Sequence, residues 1–322
     1  MRIKPFNYRV CYSFVKNADF CKPHTFLNTN KFKEVRNTTK RWVADPFVIS
    51  NDGKAYIFGE LGSKYYKDRG YSFGIIGYKQ IGVKHPTLWH KCIKEKTHMS
   101  FPNVFEYNGD FYMIPETSRK RKICLYKATS FPKKWQIVDT LVSDGEYVDH
   151  GIFKFQGTIF LLTYRIKTKP YQSLLFIFKN GKFELFSSIE DPKGLYRLAG
   201  NPKIVDDKIF VYTQDNTRLL SEGMYGRGLV LSELIISRLE KSHCFKIIDQ
   251  YDCSEFKQFH TKKISGLHTI NFNDNCCVID VMYDYYSPYA FFRNCLHFCF
   301  LIVLKLLVKI KHILFRKNKK HE

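Results

Sequence analysis

One pattern recurs five times along this chain, and it leaves few folds open. The five stretches are DPFVISNDGKAYIFGE (Asp45–Glu60), NVFEYNGDFYMIPE (Asn103–Glu116), DHGIFKFQGTIFLLTY (Asp149–Tyr164), NPKIVDDKIFVYTQ (Asn201–Gln214) and HTINFNDNCCVID (His268–Asp280). Each opens on a polar residue, runs as a short apolar strand, turns at a Gly-, Asn- or Asp-rich step and returns as a second apolar strand. That is the signature of a β-hairpin. The turn anchors Gly53, Gly109, Gly157 and Asp207 stand 56, 48 and 50 residues apart, and Asn275 follows 68 later. Repeats of this length with several strands per unit imply an all-β, five-bladed β-propeller.

Between the hairpins lie further strand-like segments, such as Tyr71–Ile81 and Leu88–Lys94 after the first and Ser173–Ser188 after the third. The first four repeats therefore read as four-stranded meanders. The fifth has only its two inner strands, ending near Tyr283. An open edge would leave backbone groups unpaired. The N-terminal strands Asn7–Phe14 and Phe32–Arg36, with a loop over Lys22–Asn30 between them, are expected to complete the last blade and close the ring. The propeller is expected to span residues 1–288, with residues 1–40 serving the last blade.

The two strands of a hairpin run antiparallel, so the end of the second lies beside the start of the first. Asp45 is thereby paired with Glu60, Asn103 with Glu116, Asp149 with Tyr164, Asn201 with Gln214, and His268 with Asp280. If these are the inner strands of five blades, all five pairs meet at one mouth of the central channel. Carbohydrate chemistry commonly uses two carboxyl groups, one as acid and one as base or nucleophile. Asp45, Glu116 and Asp149 are the candidate catalytic residues. Glu60, Asn103, His150, Arg197, Gln214 and His268 are the candidate substrate-binding residues. Mutual repulsion among the carboxylates is expected to raise some of their pKa values. Metal-ligand spacings, a P-loop, a dinucleotide fingerprint, an Asp-x-Asp step and nucleic-acid modules are all missing, so no metal, cofactor or nucleic acid is expected.

The net charge of +22 on 322 residues favours anionic partners. Part of it sits at the C-terminus, residues 289–322. There His297, Lys305, Lys309, His312 and Arg316 form one stripe at helical spacing among Leu, Ile, Val and Phe. The apolar run is shorter than the roughly 20 residues a membrane span needs. A basic amphipathic helix is expected instead, with residues 291–316 on an anionic membrane surface; packing on the propeller rim or on another copy is the alternative. Ten cysteines without regular spacing read as reduced, mostly buried thiols. The first residues lack the apolar core of a signal peptide. A cytoplasmic protein, peripheral on the inner face of the membrane, is the expectation.

Trp42-x-Ala44-Asp45-Pro46-Phe47, Ser100-Phe101-Pro102, Tyr112-Met113-Ile114-Pro115-Glu116-Thr117, Leu125-Tyr126, Phe131-Pro132-x-x-Trp135, Asp149 before Ile152-Phe153, Arg197-x-Ala199-Gly200, Gln214, Tyr225-Gly226 and His268-Thr269 occur in this order. From Trp42 to Tyr283 the chain resembles the N-terminal domain of plant glucosamine inositolphosphorylceramide transferases and its stand-alone bacterial relatives. That family is similar in fold to the five-bladed propellers of glycoside hydrolase families 43 and 32. The resemblance implies that Asp45 matches their first-blade base or nucleophile, that Asp149 matches a second conserved Asp, and that the chemistry is carbohydrate-active. Glu116 is the acid candidate by geometry. The expected function is a glycosyltransferase of surface polysaccharide or glycolipid synthesis. It would take a nucleotide sugar or other carbohydrate and a lipid-linked or glycan acceptor. A family-43-type glycoside hydrolase and a non-catalytic glycan-binding propeller are the alternatives.

Overall fold

The computed structural model describes residues 8–15, 20–36, 41–63, 74–84, 88–166, 169–217, 226–238, 244–259, 264–283 and 299. The chain begins with β1 (Tyr8–Phe14), a short helix α1 (Pro23–Thr29) and β2 (Lys33–Glu34). Four blades follow in order. They are β3 (Arg41–Asn51), β4 (Lys54–Ser63), β5 (Gly74–Ile81) and β6 (His90–Glu95); β7 (Ser100–Tyr107), β8 (Asp110–Glu116), β9 (Lys122–Ser130) and β10 (Lys134–Ser143); β11 (Tyr147–Phe155), β12 (Thr158–Arg165), β13 (Tyr171–Lys179) and β14 (Lys182–Asp191); and β15 (Lys203–Val205), β16 (Lys208–Asp215), β17 (Gly228–Leu234) and β18 (Phe245–Asp252). Each is an antiparallel meander whose first strand is innermost. The last blade holds β19 (Ile264–Gly266), β20 (Ile270–Asn273) and β21 (Cys276–Tyr283). The fold is the five-bladed propeller that the repeats imply.

The ring closes through the N-terminus. β1 pairs antiparallel with β21 from Tyr8↔Met282 to Phe14↔Cys276, and β2 adds outside it. The loop expected over Lys22–Asn30 is instead the helix α1. Pro23 suits its first turn, where a backbone N–H would have no helical partner. Phe26 and Leu27 are buried in a cluster with Phe256, Leu267 and Ile279. That packing, rather than intrinsic propensity, stabilises seven residues as a helix. The amphipathic tail expected over 289–322 falls outside the described residues apart from Cys299, which is helical and exposed.

The turns obey the chemistry that identified them. Asp52-Gly53, Asn108-Gly109, Gln156-Gly157, Asn180-Gly181 and Asp206-Asp207 all have positive φ at both residues, as type I′ hairpin turns require. A Cβ on Gly53, Gly109 or Gly157 would meet nothing within 4 Å, so glycine is needed there for conformation and not for space.

A second irregularity recurs at the other end of the inner strands. Register breaks between Ala44 and Phe47, between Ser100 and Asn103, and between Val148 and Gly151. Asp45 (φ 52), Phe101 (φ 45) and Asp149 (φ 49) sit in those bulges. The counterpart of Asp45 in the second blade is thus Phe101 and not Asn103, and the spacing agrees: Asp45, Phe101 and Asp149 each stand eight residues before the turn glycines Gly53, Gly109 and Gly157.

Below the bulges, side-chain amides tie the inner strands together. Asn103 donates to the carbonyl of His150 (2.9 Å) and to Oδ1 of Asn201 (2.8 Å). Oδ1 of Asn201 also accepts from the N–H of Ile152 (3.0 Å), and the N–H of Asn201 donates to Oδ1 of Asn271 (2.9 Å). Asn271 in turn donates to the carbonyl of Pro46 (2.8 Å). Every blade contributes to this network, which satisfies inner-strand polar groups that no sheet ladder reaches. It forms a floor beneath the mouth.

Candidate functional site

In the first two blades the bulge turns the start of the inner strand out of its ladder, and a freed N–H binds a carboxylate of the preceding blade. The N–H of Asp45 donates to Oδ2 of Asp280 (2.9 Å), and the N–H of Phe101 donates to Oδ2 of Asp45 (3.3 Å). A left-handed backbone suits Asp but strains Phe. The strain at Phe101 is sustained because its ring is fully buried, packed edge-on to Phe47 with centroids 4.8 Å apart.

Asp45 lies at the centre of the mouth. Its Oδ1 accepts from the hydroxyl of Thr269 (3.1 Å) and faces Nε2 of His268 (3.6 Å). The other imidazole nitrogen, Nδ1, lies 2.7 Å from Oδ1 of Asp280. That same oxygen accepts the backbone N–H groups of His268 (3.3 Å) and Thr269 (3.0 Å). Asp280, His268 and Asp45 therefore form a continuous chain of charge across the join between the last blade and the first. Their donor atoms all lie within 4.8 Å of one another, close enough for a cation to bridge. Both imidazole nitrogens already face carboxylates, which is the geometry of an ion-paired imidazolium.

The second cluster is built on Asp149. Its Oδ2 accepts from Nε of Arg197 and from Nε2 of Gln214 (3.0 Å). Arg197 leaves a loop held by buried Asp191, whose carboxylate accepts the N–H groups of Leu195 and Tyr196 and the hydroxyl of Tyr164. Tyr164 was placed at the mouth by strand pairing, but its side chain serves this clamp instead. Gln214 spends both amide protons, on Asp149 and on the carbonyl of Leu198 (2.8 Å), and its Oε1 is a buried acceptor without a hydrogen-bond donor among the described residues.

Glu116 is held on both sides, by the hydroxyls of Ser100 (2.9 Å) and Ser118 (3.0 Å). The two hydroxyls fix the orientation of both carboxyl oxygens. Glu60 is differently placed, with Oε1 3.7 Å from Nδ1 of His98. His150 is fully buried, and Nδ1 meets the hydroxyl of Thr163 (2.8 Å). That hydroxyl gives its own proton to the carbonyl of Val148 (2.9 Å), so the imidazole must be the donor at Nδ1. Nε2 is left as a buried acceptor without a hydrogen-bond partner among the described residues.

Burial and crowding set the protonation states. Burial lifts the Asp45 carboxyl from 3.8 to about 6; the charges of Asp280 and Asp149 add to this, and His268 and the Thr269 hydroxyl oppose it. Burial also pushes Glu60 well above the usual range, reinforced by the charges of Asp45, Glu116, Asp149 and Asp280. Asp149 is raised by burial and drawn back by Arg197. For His268, burial acts downward, but Asp280, Asp45 and Asp149 outweigh it and the imidazole is raised. Burial alone holds His150 down at about 3, so it is neutral. Carboxyl groups pushed apart in this way divide into acid and base.

Of the residues proposed from sequence, Asp45, Glu60, Glu116, Asp149, Arg197, Gln214 and His268 meet at the mouth. Asn103 lies in the amide floor, with His150 beside it. Thr269, Ser100, Ser118 and His98 were not singled out, although each adjoins a strand end that was. Tyr8 was also missed. Its ring stacks on His268 with centroids 4.8 Å apart, and only ring closure brings the two together.

Fold and site together define a five-bladed propeller with a buried cluster of carboxyl groups at one mouth. The chain belongs to the family described as glucosamine inositolphosphorylceramide transferase 1, N-terminal, whose profile matches residues 26–226. It is 27% identical over 126 residues to glucosamine inositolphosphorylceramide transferase 1 of Oryza sativa subsp. japonica, covering 36% of this chain and 15% of that protein. To the protein of the same name from Arabidopsis thaliana it is 28% identical over 131 residues, covering 38% of this chain and 15% of the relative. The match thus spans about 15% of the length of these curated relatives. Among solved structures it is similar to a family 43 β-xylosidase/α-arabinofuranosidase from a compost microbial metagenome, with a TM-score of 0.51 at 10% identity over 79% of this chain and 99% of that one. At that identity the likeness speaks for the fold.

Proposed function

We propose that the chain is a carbohydrate-active enzyme, a glycosyltransferase that moves an activated sugar onto a lipid-linked or glycan acceptor in surface polysaccharide or glycolipid synthesis. One observation carries the reading. A buried Asp45 with a carboxyl near pKa 6 stands in the same cluster as a Glu60 that burial and the neighbouring carboxylates push well above the usual range. Two carboxyl groups whose surroundings set them apart can serve as base and acid, as sugar transfer requires. The transferase name carried by the plant relatives supports the same class.

In this reading Asp45 takes the proton of the attacking acceptor hydroxyl, and His268 steadies the charge it carries. Glu60 gives a proton to the departing oxygen, the role that strand geometry alone assigns to Glu116. Glu116, fixed by two serines, and Asp149, fixed by Arg197 and Gln214, accept sugar hydroxyls. The bare acceptor on Gln214 is available to another. Binding at the anionic membrane face through residues 291–316 belongs to the same proposal, motivated by the basic stripe in the sequence.

The pH profile tests the division of labour. Asp45 acts only when ionised, so activity rises as pH climbs through about 6. It falls again where Glu60 loses its proton, giving a bell. Glu60→Gln is expected to lower the rate on the order of 10²-fold or more and to abolish the alkaline limb. Activity that stays flat through pH 6 in the wild type would remove Asp45 as the base.

A further inference from the structure

Tyr8 opens β1, the strand that the N-terminus lends to the last blade, and it pairs with Met282 of β21. Its ring lies nearly parallel to the imidazole of His268, with 20° between planes. On another side it meets Trp42 at 5.8 Å and 56°. Tyr8 is 5% exposed and His268 4%, so the stack is dry.

His268 is held edgewise by Asp280 at Nδ1 and faces Asp45 at Nε2. Contacts at the two edges fix where the nitrogens lie. A flat aromatic face against the imidazole resists tilting of the ring, and the face of a tyrosine is attractive to a cation. Gly226 (φ 61) brings its backbone so close on the Cβ side that an added Cβ would lie 2.5 Å from the His268 Cβ. The imidazole is therefore confined at both edges, along one face and at its root. The confining groups are Asp280 of β21, Asp45 of β3, Tyr8 of β1 and the Gly226 backbone, and Asp149 of β11 acts on the imidazole through its charge.

We infer that Tyr8 is a positioning residue of the site: the closing strand delivers the aromatic face that sets the tilt of His268 against Asp45, so that closing the ring and completing the site are one event. This rests on the reading of the mouth as a sugar-transfer site. The stack itself is testable without that reading. Tyr8 does no chemistry in this account; it acts through His268. The N-terminal strand, which fold considerations alone would treat as a fastener, thereby becomes part of the functional machinery.

The test uses the full chain with Tyr8→Phe, Tyr8→Leu and Tyr8→Met. Thermal melts are the control for folding. The first readout is the His268 ring-proton NMR signal, assigned by its loss in His268→Asn. A stacked aromatic ring shifts it upfield. Tyr8→Phe is expected to keep that shift, and Tyr8→Leu and Tyr8→Met to lose it. The second readout is sugar transfer. The aliphatic variants are expected to lose kcat on the order of tenfold to a hundredfold with little change in KM, as for a slightly misplaced group, and Tyr8→Phe to retain it. Folded aliphatic variants that keep the upfield shift, or that lose it while keeping the wild-type kcat, overturn the inference. If Asp45→Asn retains full transfer activity, the reading of the site fails separately. If wild type transfers no sugar, the NMR shift alone decides whether Tyr8 holds His268.

Discussion

Asp45→Asn is expected to make the protein more stable at pH 8 and no more stable near pH 4. Folding raises the Asp45 carboxyl from 3.8 to about 6. The stability linked to a raised group is fully present below its unfolded pKa and is lost as pH rises through its folded one. Above pH 6 the wild type must hold a charge that the fold disfavours. A rise from 3.8 to about 6 corresponds to roughly 3 kcal/mol, which bounds the gain. Asn also suits the left-handed backbone at position 45 (φ 52). It loses one acceptor for the Phe101 N–H or the Thr269 hydroxyl, which trims the gain. Melting curves of both proteins across this pH range make the comparison. A variant less stable at every pH would mean that Asp45 is a structural anchor and not a destabilising group retained for chemistry.

Removing residues 1–36 is expected to abolish cooperative folding. The deletion takes away β1, whose seven residues pair with β21, and with it buried Val10 and Cys11, one on each face of the sheet. It also removes α1, with Phe26 and Leu27 from the core. Long-range bonds go too: the Tyr212 hydroxyl to the Phe20 carbonyl (2.6 Å) and Gln258 to the Leu27 carbonyl (2.6 Å). All eight residues of β21 are buried, so its exposed edge would be apolar and prone to pair with other chains. Circular dichroism melts and size-exclusion chromatography report the result. A soluble monomer with an unchanged melt would show that the ring does not depend on this closure.

The sequence carried the fold because its strongest signals are local. Asn108-Gly109 and Asn180-Gly181 announce type I′ turns wherever they fall, and apolar strands on either side settle the hairpins. Ring closure was also legible, since a last blade with two strands needs two more. The acid cluster followed from hairpin geometry, and Asp45, Glu60, Glu116 and Asp149 converge as that geometry requires. What escaped was whatever depends on bulges and distant partners. Asn103 was aligned with Asp45 as the polar residue that opens its stretch, whereas the bulge position eight residues before the turn glycine is occupied in this blade by the apolar Phe101. The Phe101-Pro102 step, which repeats Asp45-Pro46, was the available clue. Tyr164 alternates to the far face at a position where only the buried Asp191 explains it. The helix over Pro23–Thr29 is too short for a periodic signal. Tyr8 has no local mark at all, because its place beside His268 exists only once β1 docks on β21.

The acid-lined mouth also bears on the overall charge. The chain's net charge of +22 attracts anions, yet the deepest groups are carboxyls, with Arg197 committed to Asp149. Under the proposed function the overall charge would act on the approach of an anionic substrate, while the carboxyl cluster favours groups that donate hydrogen bonds, such as sugar hydroxyls.

The central claim is that the carboxyl cluster performs sugar chemistry through Asp45. It is tested most directly by incubating wild type and Asp45→Asn with nucleotide sugars and a lipid extract, with arabinofuranosides and fructosides in parallel, and following products by mass spectrometry. The account predicts a glycosylated lipid from the wild type and on the order of 10²–10⁴-fold less from a fully folded Asp45→Asn. Equal product from the two proteins would contradict it, release of free sugar without transfer would point to hydrolysis, and glycan binding with neither reaction would leave a binding propeller.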